Sequence, residues 1–423
     1  MNKGQERVLI EEIGAQGDGV GYIGEKAVYA PMTMPGDEIL VEIIKEQKSS
    51  YATNLLRIEK NSAQRVDPLC QHFGKCGGCQ LQMLPNDQYK KWIKKRITSA
   101  LDHHELSTEC VSEPLISPLH SRRRVALKVL KTGKSLKLGF NRQGSAQLVD
   151  LQECPVTEKT ITALFSPLKE LLNGVLKNRD SGNVHITLAH SGLDLLIDVP
   201  HELTLTDREA LSDFAHKYDV AAIHWMDRDF MDPVLIRREP VMLFGDKLSE
   251  LPPAAFIQAT QAGEKSLIDE MAKAVRGHKR MADLFSGIGT FSLPLASEMQ
   301  VLAVEGSKAA TDALQNAVNS ATGLKKILVR HRDLYRRPLT FKELEAFDAV
   351  VFDPPRAGAR EQVIELAQSN VQTIVGVSCN PNTFGRDARL LVDGGYTLEK
   401  VVPVDQFLFS PHLEVVGIFR RHQ

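Results

Sequence analysis

Met281-Ala282-Asp283-Leu284-Phe285-Ser286-Gly287-Ile288-Gly289-Thr290-Phe291 is the stretch that decides the fold of this 423-residue chain. Met281 to Phe285 reads as a short apolar strand. The glycines after it let the backbone turn tightly and pass close to a bound ligand before a helix begins. Further strands read at Val301 to Glu305, Ile327 to His331, Phe347 to Phe352 and Thr373 to Ser378, with helical stretches between most of them. That alternation predicts an α/β fold with a parallel, doubly wound sheet, whose ligands bind at the carboxyl ends of the strands. Two last strands, near Thr397 to Pro403 and Leu413 to Arg420, follow each other too closely for a helical crossover and are expected to be antiparallel.

A Gly-x-Gly loop alone identifies no ligand, but Glu305 closes the next strand, where an acidic side chain can hold ribose hydroxyls. Thr290-Phe291-Ser292 stands where a dinucleotide fingerprint would carry its third glycine, so a nucleoside-type donor such as S-adenosylmethionine fits better. Asp333, at the end of the third strand, offers a carboxylate for the adenine side; capping a helix is the competing use of that residue.

Asp353-Pro354-Pro355-Arg356 ends the fourth strand in a stiff turn that holds its carboxylate at the donor pocket. Cys379, in Val377-Ser378-Cys379-Asn380-Pro381, ends the neighbouring strand. Buried free cysteines are commonly small hydrophobes. Here a polar Asn380 and a strand-breaking Pro381 follow at the functional edge of the sheet, which points to a nucleophile. Carbon 5 of a pyrimidine becomes nucleophilic once a thiolate adds to carbon 6, and a base must afterwards remove the carbon 5 proton. Glu414, where the last strand enters the sheet among apolar neighbours, is the candidate base, with His412 as its rival.

Toward the N-terminus, residues 6–58 carry short β-type runs separated by Gly17-Asp18-Gly19-Val20-Gly21 and Pro35-Gly36-Asp37, predicting a five-stranded barrel. Its GDGVGY turn and MPGDEILVEI strand resemble a TRAM domain, an RNA-binding module. Cys70, Cys76 and Cys79 then place three thiols in one loop, with Cys154 in Glu153-Cys154-Pro155 as the candidate fourth. Such a set suits zinc or an iron–sulfur cluster on spacing alone. Tyr89, Trp92, Ile93, Ile97 and Leu101 recur at helical spacing opposite Lys90, Lys91, Lys94 and Lys95. Residues 83–145 hold 13 Lys or Arg against 5 Asp or Glu, and Arg122, Arg123 and Arg124 look suited to phosphate contacts. From Ser112 to about Glu250 the pattern is α+β. The expected organisation is a barrel at 1–60, a central α+β domain at 61–250 and the doubly wound domain at 251–423. With no membrane-length apolar run and no leader core in Met1 to Glu6, a cytoplasmic protein off the membrane is expected, and a monomer suffices.

Taken together, residues 283–291, Glu305, DPPRAGA at 353–359, SCNPNTF at 378–384 and HLEVVG at 412–417 resemble the RNA (uracil-5-)-methyltransferases. With the TRAM-like start and the cysteine loop, the likeness is greatest to the branch that modifies 23S ribosomal RNA. It implies a Rossmann-like class I S-adenosylmethionine-dependent methyltransferase domain and a 4Fe-4S cluster on Cys70, Cys76, Cys79 and Cys154. By the same resemblance Cys379 is the nucleophile and Glu414 the base, while Gln258, Phe285, Thr290, Glu305, Asp333 and Asp353 line the donor and base pockets. Two positions depart from the pattern: Thr290 stands where Asn is frequent, and Phe256-Ile257-Gln258-Ala259-Thr260 replaces the usual Gln-Val-Asn. A transfer-RNA uracil methyltransferase would use the same chemical residues. A non-catalytic RNA-binding or cluster-sensing homologue would need none of Asp353, Cys379 and Glu414 at these spacings.

Overall fold

The computed structural model describes residues 4–421. Met1, Asn2 and Lys3, half of the stretch read for a leader, and the last two residues of the 251–423 segment lie outside the described residues.

Strands Gln5–Ile13, Gly19–Ile23, Lys26–Ala30, Glu38–Glu46 and Ser50–Lys60 close into a barrel. Alternate side chains point inward, so Val8, Ile10, Val28, Ala30, Ile39 and Val41 form its core. Of the glycine-rich stretch read as a turn, Gly17 at φ +86° and Asp18 do turn the chain, while Gly19, Val20 and Gly21 already open the second strand. A Cβ on Gly21 would lie 2.3 Å from the Leu9 carbonyl oxygen, so glycine serves close strand approach there rather than a bend.

Helix Asn86–Asp102 buries Tyr89, Trp92, Ile93, Ile97 and Leu101 in one core with Phe384, Ala388 and Leu391 of helix Pro381–Asp393. Its Trp92 Nε1–H donates to the Gly14 carbonyl of the barrel at 3.1 Å. The basic helix is thus wedged between barrel and C-terminal sheet. Seven strands between Arg124 and Ile236 form a second sheet, one face of which is covered by helices Phe165–Val175 and Leu205–Lys217.

The third sheet has eight strands in the order Ile327–His331, Gln300–Glu305, Arg280–Leu284, Ala349–Phe352, Thr373–Ser378, Glu414–Arg420, Thr397–Asp405 and Leu115–Ile116. The first five are parallel; four of them are largely buried on both faces, as their Val, Leu and Ala content anticipates, while Ile327–His331 at the edge keeps Leu328, Arg330 and His331 exposed. Glu414–Arg420 and Thr397–Asp405 pair antiparallel, as their short connection requires. Leu115–Ile116 arrives from outside the 251–423 segment to pair at the far edge. Strand order reverses beside Arg280–Leu284, which opens the crevice where doubly wound sheets take their ligands. Among the described residues no helix is long and apolar enough to cross a membrane.

Candidate active site

Strand register builds the reacting centre. Gly376 pairs with Phe352, so Asp353 follows directly beside the chain that leads to Cys379. Ser378 pairs with Val415 across the antiparallel ladder, so the next pair along brings Glu414 to Cys379. Glu414 is 4% exposed, while Cys379 keeps partial access to solvent. Asp353 Oδ2 accepts a hydrogen bond of 2.8 Å from Gln258 Nε2.

Burial, first, and then the neighbouring charges Glu414 and Asp353 push the Cys379 thiol up to about 11, against a smaller opposing effect of Arg356. Burial raises Glu414 as well, and the Asp353 carboxylate adds to it. Asp353 is raised by burial against the Gln258 hydrogen bond. Two like carboxylates at one buried site resist ionising together, so they titrate as a pair. His412 lies tilted against Phe407, with ring centroids 5.8 Å apart, and burial with the charges of Arg356, Arg122 and Arg96 lowers its pKa. It is therefore neutral at physiological pH. Cys379, Arg356, Asn380 and His412 border a cleft of about 730 Å³ that runs to Trp92, Arg96 and the barrel residues Glu12 to Gln16.

The donor loop leaves Leu284 with Phe285 at φ +62°, a left-handed conformation that non-glycine residues rarely take. Its ring packs on Tyr335 at 5.5 Å. Gly287 donates to Glu305 Oε2 at 3.0 Å and Ser307 to Oε1 at 2.7 Å, fixing that carboxylate at the strand end. Thr290 is buried in the same loop. Ser292 Oγ donates to Asp283 Oδ2 at 2.6 Å, yet Asp283 Oδ1 and Ser286 Oγ are buried with no partner among the described residues. Burial pushes Asp283 up to about 7. Unpaired buried polar atoms are costly, and here they lie in the ligand crevice. A Cβ on Gly287 would meet nothing within 4 Å. Orphaned acceptors, open space and a fixed acidic side chain suit a nucleoside donor with an ammonium group. Asp283 and Ser286 head the quoted motif, but their free valences could be seen only in three dimensions.

Asp333 serves a turn: its Oδ1 accepts from Tyr335 N at 2.9 Å and Arg336 N at 3.3 Å, with its side chain still 46% exposed. The arginine run divides. Arg123 is buried and paired with Glu264, so it is no phosphate contact; Arg122 lies over Phe407 and Arg124 over Phe256. Part of the basic helix's charge is also engaged, Lys94 by Glu113 and Lys95 by Glu12, both at 2.6 Å.

Cys70, Cys76, Cys79 and Cys154 line one cavity of about 260 Å³ that shares Pro411 and His412 with the catalytic cleft. Gly78 N–H donates to Cys76 Sγ at 3.4 Å, and Thr157 Oγ1 to Cys154 Sγ at 3.2 Å. Burial raises Cys70 and Cys76 and pushes Cys79 up to about 12. Among the described residues no three Cys, His, Asp or Glu side chains converge closely enough to hold a single metal ion.

The family described as tRNA (uracil-5-)-methyltransferase matches residues 225–422. An uncharacterized RNA methyltransferase of Caulobacter vibrioides is 40% identical, the alignment covering 98% of this chain and 99% of that protein. The 23S rRNA (uracil(1939)-C(5))-methyltransferase RlmD of Shewanella piezotolerans is 33% identical over 95% of this chain and 93% of its own length. Among solved structures, the tRNA (uracil-54, C5)-methyltransferase of Pyrococcus abyssi, in complex with S-adenosyl-L-homocysteine, superposes with a TM-score of 0.74. It covers 98% of this chain and 100% of its own at 24% identity, a likeness of fold. This chain belongs to the RNA (uracil-5-)-methyltransferases, enzymes that take their methyl group from S-adenosylmethionine.

Proposed function

We propose that the protein methylates carbon 5 of one uridine in 23S ribosomal RNA, with Cys379 as nucleophile and Glu414 as base. The observation that carries the mechanism is the ladder register that sets Glu414 opposite Cys379, with Asp353 on the adjoining strand end. Similarity to RlmD along nearly the whole chain supports the ribosomal substrate over transfer RNA.

Cys379 releases its proton to water in the open cleft, and Sγ bonds carbon 6 of a uracil turned out of its stack. The electron pair of the carbon 5–carbon 6 double bond moves toward carbon 4 and its oxygen. S-adenosylmethionine, when bound, supplies an electrophilic methyl group, which carbon 5 takes. Ionised Glu414 then removes the carbon 5 proton, the ring double bond re-forms, and the bond from carbon 6 to Cys379 Sγ breaks. Asp353, fixed by Gln258, lies at the same strand ends between donor and uracil. Gln258, Phe285, Thr290, Glu305 and Asp333 border the donor side, with Asp333 contributing chiefly through its turn.

The cysteine cavity is read as the seat of a 4Fe-4S cluster: four thiols surround it, and two of the sulfurs accept N–H and O–H bonds. Its role is structural. The division at 1–60, 61–250 and 251–423 is kept as a functional one, with the barrel and basic helix holding flanking nucleotides in the cytoplasm.

Incubation with donor and 5-fluorouridine RNA tests the chemistry, because fluorine blocks the proton removal. A covalent complex is expected from the native protein and none from Cys379→Ala. Mapping 5-methyluridine in ribosomal and transfer RNA of a strain lacking the gene tests the substrate; loss confined to transfer RNA would transfer the assignment there.

A further inference from the structure

Gln406 is buried, 1% exposed, and belongs to none of the motifs above. Its Oε1 accepts from the Thr260 backbone N–H at 3.3 Å, and its Nε2 donates to Gln258 Oε1 at 2.7 Å. Gln258 Nε2 in turn donates to Asp353. The two ends of a glutamine amide look alike by shape, so their orientation has to be set by partners. The Thr260 N–H can only donate. It therefore dictates that Gln406 presents oxygen to Thr260 and nitrogen to Gln258, and that Gln258 presents nitrogen to Asp353.

We propose that Gln406 is a positioning residue of the methyl transfer: it polarises the Gln258 amide so that an N–H, never a carbonyl oxygen, faces Asp353. An N–H donor favours the ionised carboxylate, whereas a turned amide would place oxygen against oxygen and favour a protonated one. Because Asp353 and Glu414 resist ionising together, an Asp353 kept ionised holds the proton on Glu414 to higher pH, so the orientation sets the pH above which Glu414 can accept the carbon 5 proton. The inference rests on the catalytic reading above.

The seat of Gln406 is built tightly. A Cβ on Gly263, in the first turn of helix Gln261–Val275, would stand 2.3 Å from Gln406 Cγ and 2.7 Å from its Cδ. Alanine is otherwise welcome in a helix, so the strain of Gly263→Ala falls on its neighbours Gln406 and Thr260, whose Oγ1 would lie 2.9 Å from the added Cβ. Ser117 Oγ and Thr260 Oγ1, 2.7 Å apart and buried, hold the anchor residue from the other side.

The test uses the full-length protein with its RNA substrate, measuring kcat, donor KM and the pH dependence of kcat. Gln406→Met should lower kcat at least tenfold, leave donor KM within twofold and move the acid limb of the pH profile down by about one unit. Gly263→Ala, which crowds Gln406 from the helix side, should move the limb in the same direction. In a Gln258→Met background, Gln406→Met should cost less than twofold, since its effect passes through that amide. An unmoved acid limb in both variants, or an equal loss in the two backgrounds, overturns the proposal. A wild-type protein that makes no 5-methyluridine would instead overturn the catalytic reading.

Discussion

Cys379 should react slowly in the free enzyme, and the amount follows from its surroundings. Burial and the two carboxylates lift its thiol from 9.0 to about 11. That displacement lowers the thiolate fraction near neutral pH roughly 100-fold. A more basic thiolate is intrinsically more reactive, with a Brønsted coefficient of about 0.4–0.5, which returns roughly a factor of ten. Alkylation at neutral pH should thus run about tenfold slower than for an ordinary thiol. The rate should go on rising well past pH 9. Glu414→Gln removes one of the raising charges and should bring both rate and midpoint back toward ordinary values. Short pulses of iodoacetamide across the pH range, read by mass spectrometry at the Cys379 peptide, measure this against a small thiol. The shape of the pH curve separates ionisation from access, because the cleft admits reagent in either state. If Cys379 alkylates at neutral pH as fast as the free thiol, or if Glu414→Gln slows it, the electrostatic account is wrong.

Glu414→Gln should also transfer the methyl group once and retain the RNA covalently, seen as a shifted band on a denaturing gel; turnover at the native rate would remove Glu414 from the mechanism. The same variant has a stability signature. Glu414 is raised in the fold, so its ionised form opposes folding: the penalty is absent below the unfolded carboxylate pKa, grows with pH and is complete above the folded value. Melting curves should show the variant more stable than native protein at pH 9, by at least about 1.4 kcal/mol for each unit of displacement, and equal to it near pH 4. Glu305→Ala frees Gly287 N and Ser307 N and removes the ribose acceptor, so donor affinity by calorimetry should fall roughly 10- to 100-fold. Gly77→Ala puts a Cβ 2.9 Å from both Asn141 O and Gln143 N, backbone atoms that cannot turn aside. It should cost about 1–3 kcal/mol and lower iron and sulfide content per chain; full cluster loading would contradict the tight-loop reading.

The doubly wound sheet was legible because each of its strands is a continuous apolar run between helical stretches, and the structure returns Ile327–His331 and Thr373–Ser378 with the expected ends. Cys379, Asp353 and Glu414 were legible because strand ends in such a sheet converge. Gly19 and Gly21 misled, since a glycine demanded by close backbone approach looks in sequence like one demanded by a turn. Arg123 misled because its buried partner Glu264 lies 141 residues away. Leu115–Ile116 could not be read: a strand of two residues has no periodicity, and it pairs with Val404 and Asp405, 289 residues further along the chain. Gln406 was equally silent, since its meaning lies in the direction of an amide.

The stretch from Asp405 to Glu414 explains how a cysteine loop that takes no part in methyl transfer could govern it. Asp405 accepts from Tyr89 OH of the basic helix at 2.7 Å, and Gln406 faces the donor side through Gln258. Phe409, at φ +65°, presents its carbonyl to Gln80 N at 2.8 Å and Leu81 N at 3.1 Å, the two residues after Cys79. Arg96 donates to the Pro411 carbonyl, and Pro411 and His412 form a wall common to the cysteine cavity and the catalytic cleft. A strained residue holds its conformation only while its surroundings dictate it. Release of the cysteine loop would therefore free Phe409 and shift the entry of Glu414 into the sheet. Donor binding, proposed to rest on Asp283, Gly287 and Glu305 at the other side of the crevice, would be spared. Cys154→Ser should accordingly depress kcat and RNA retention while leaving donor affinity within about twofold. Equal loss of donor affinity would mean that the whole fold, rather than this one connection, depends on the cysteines. Activity that followed the oxidation state of an intact cluster would require electrons where the structure offers only a mechanical link.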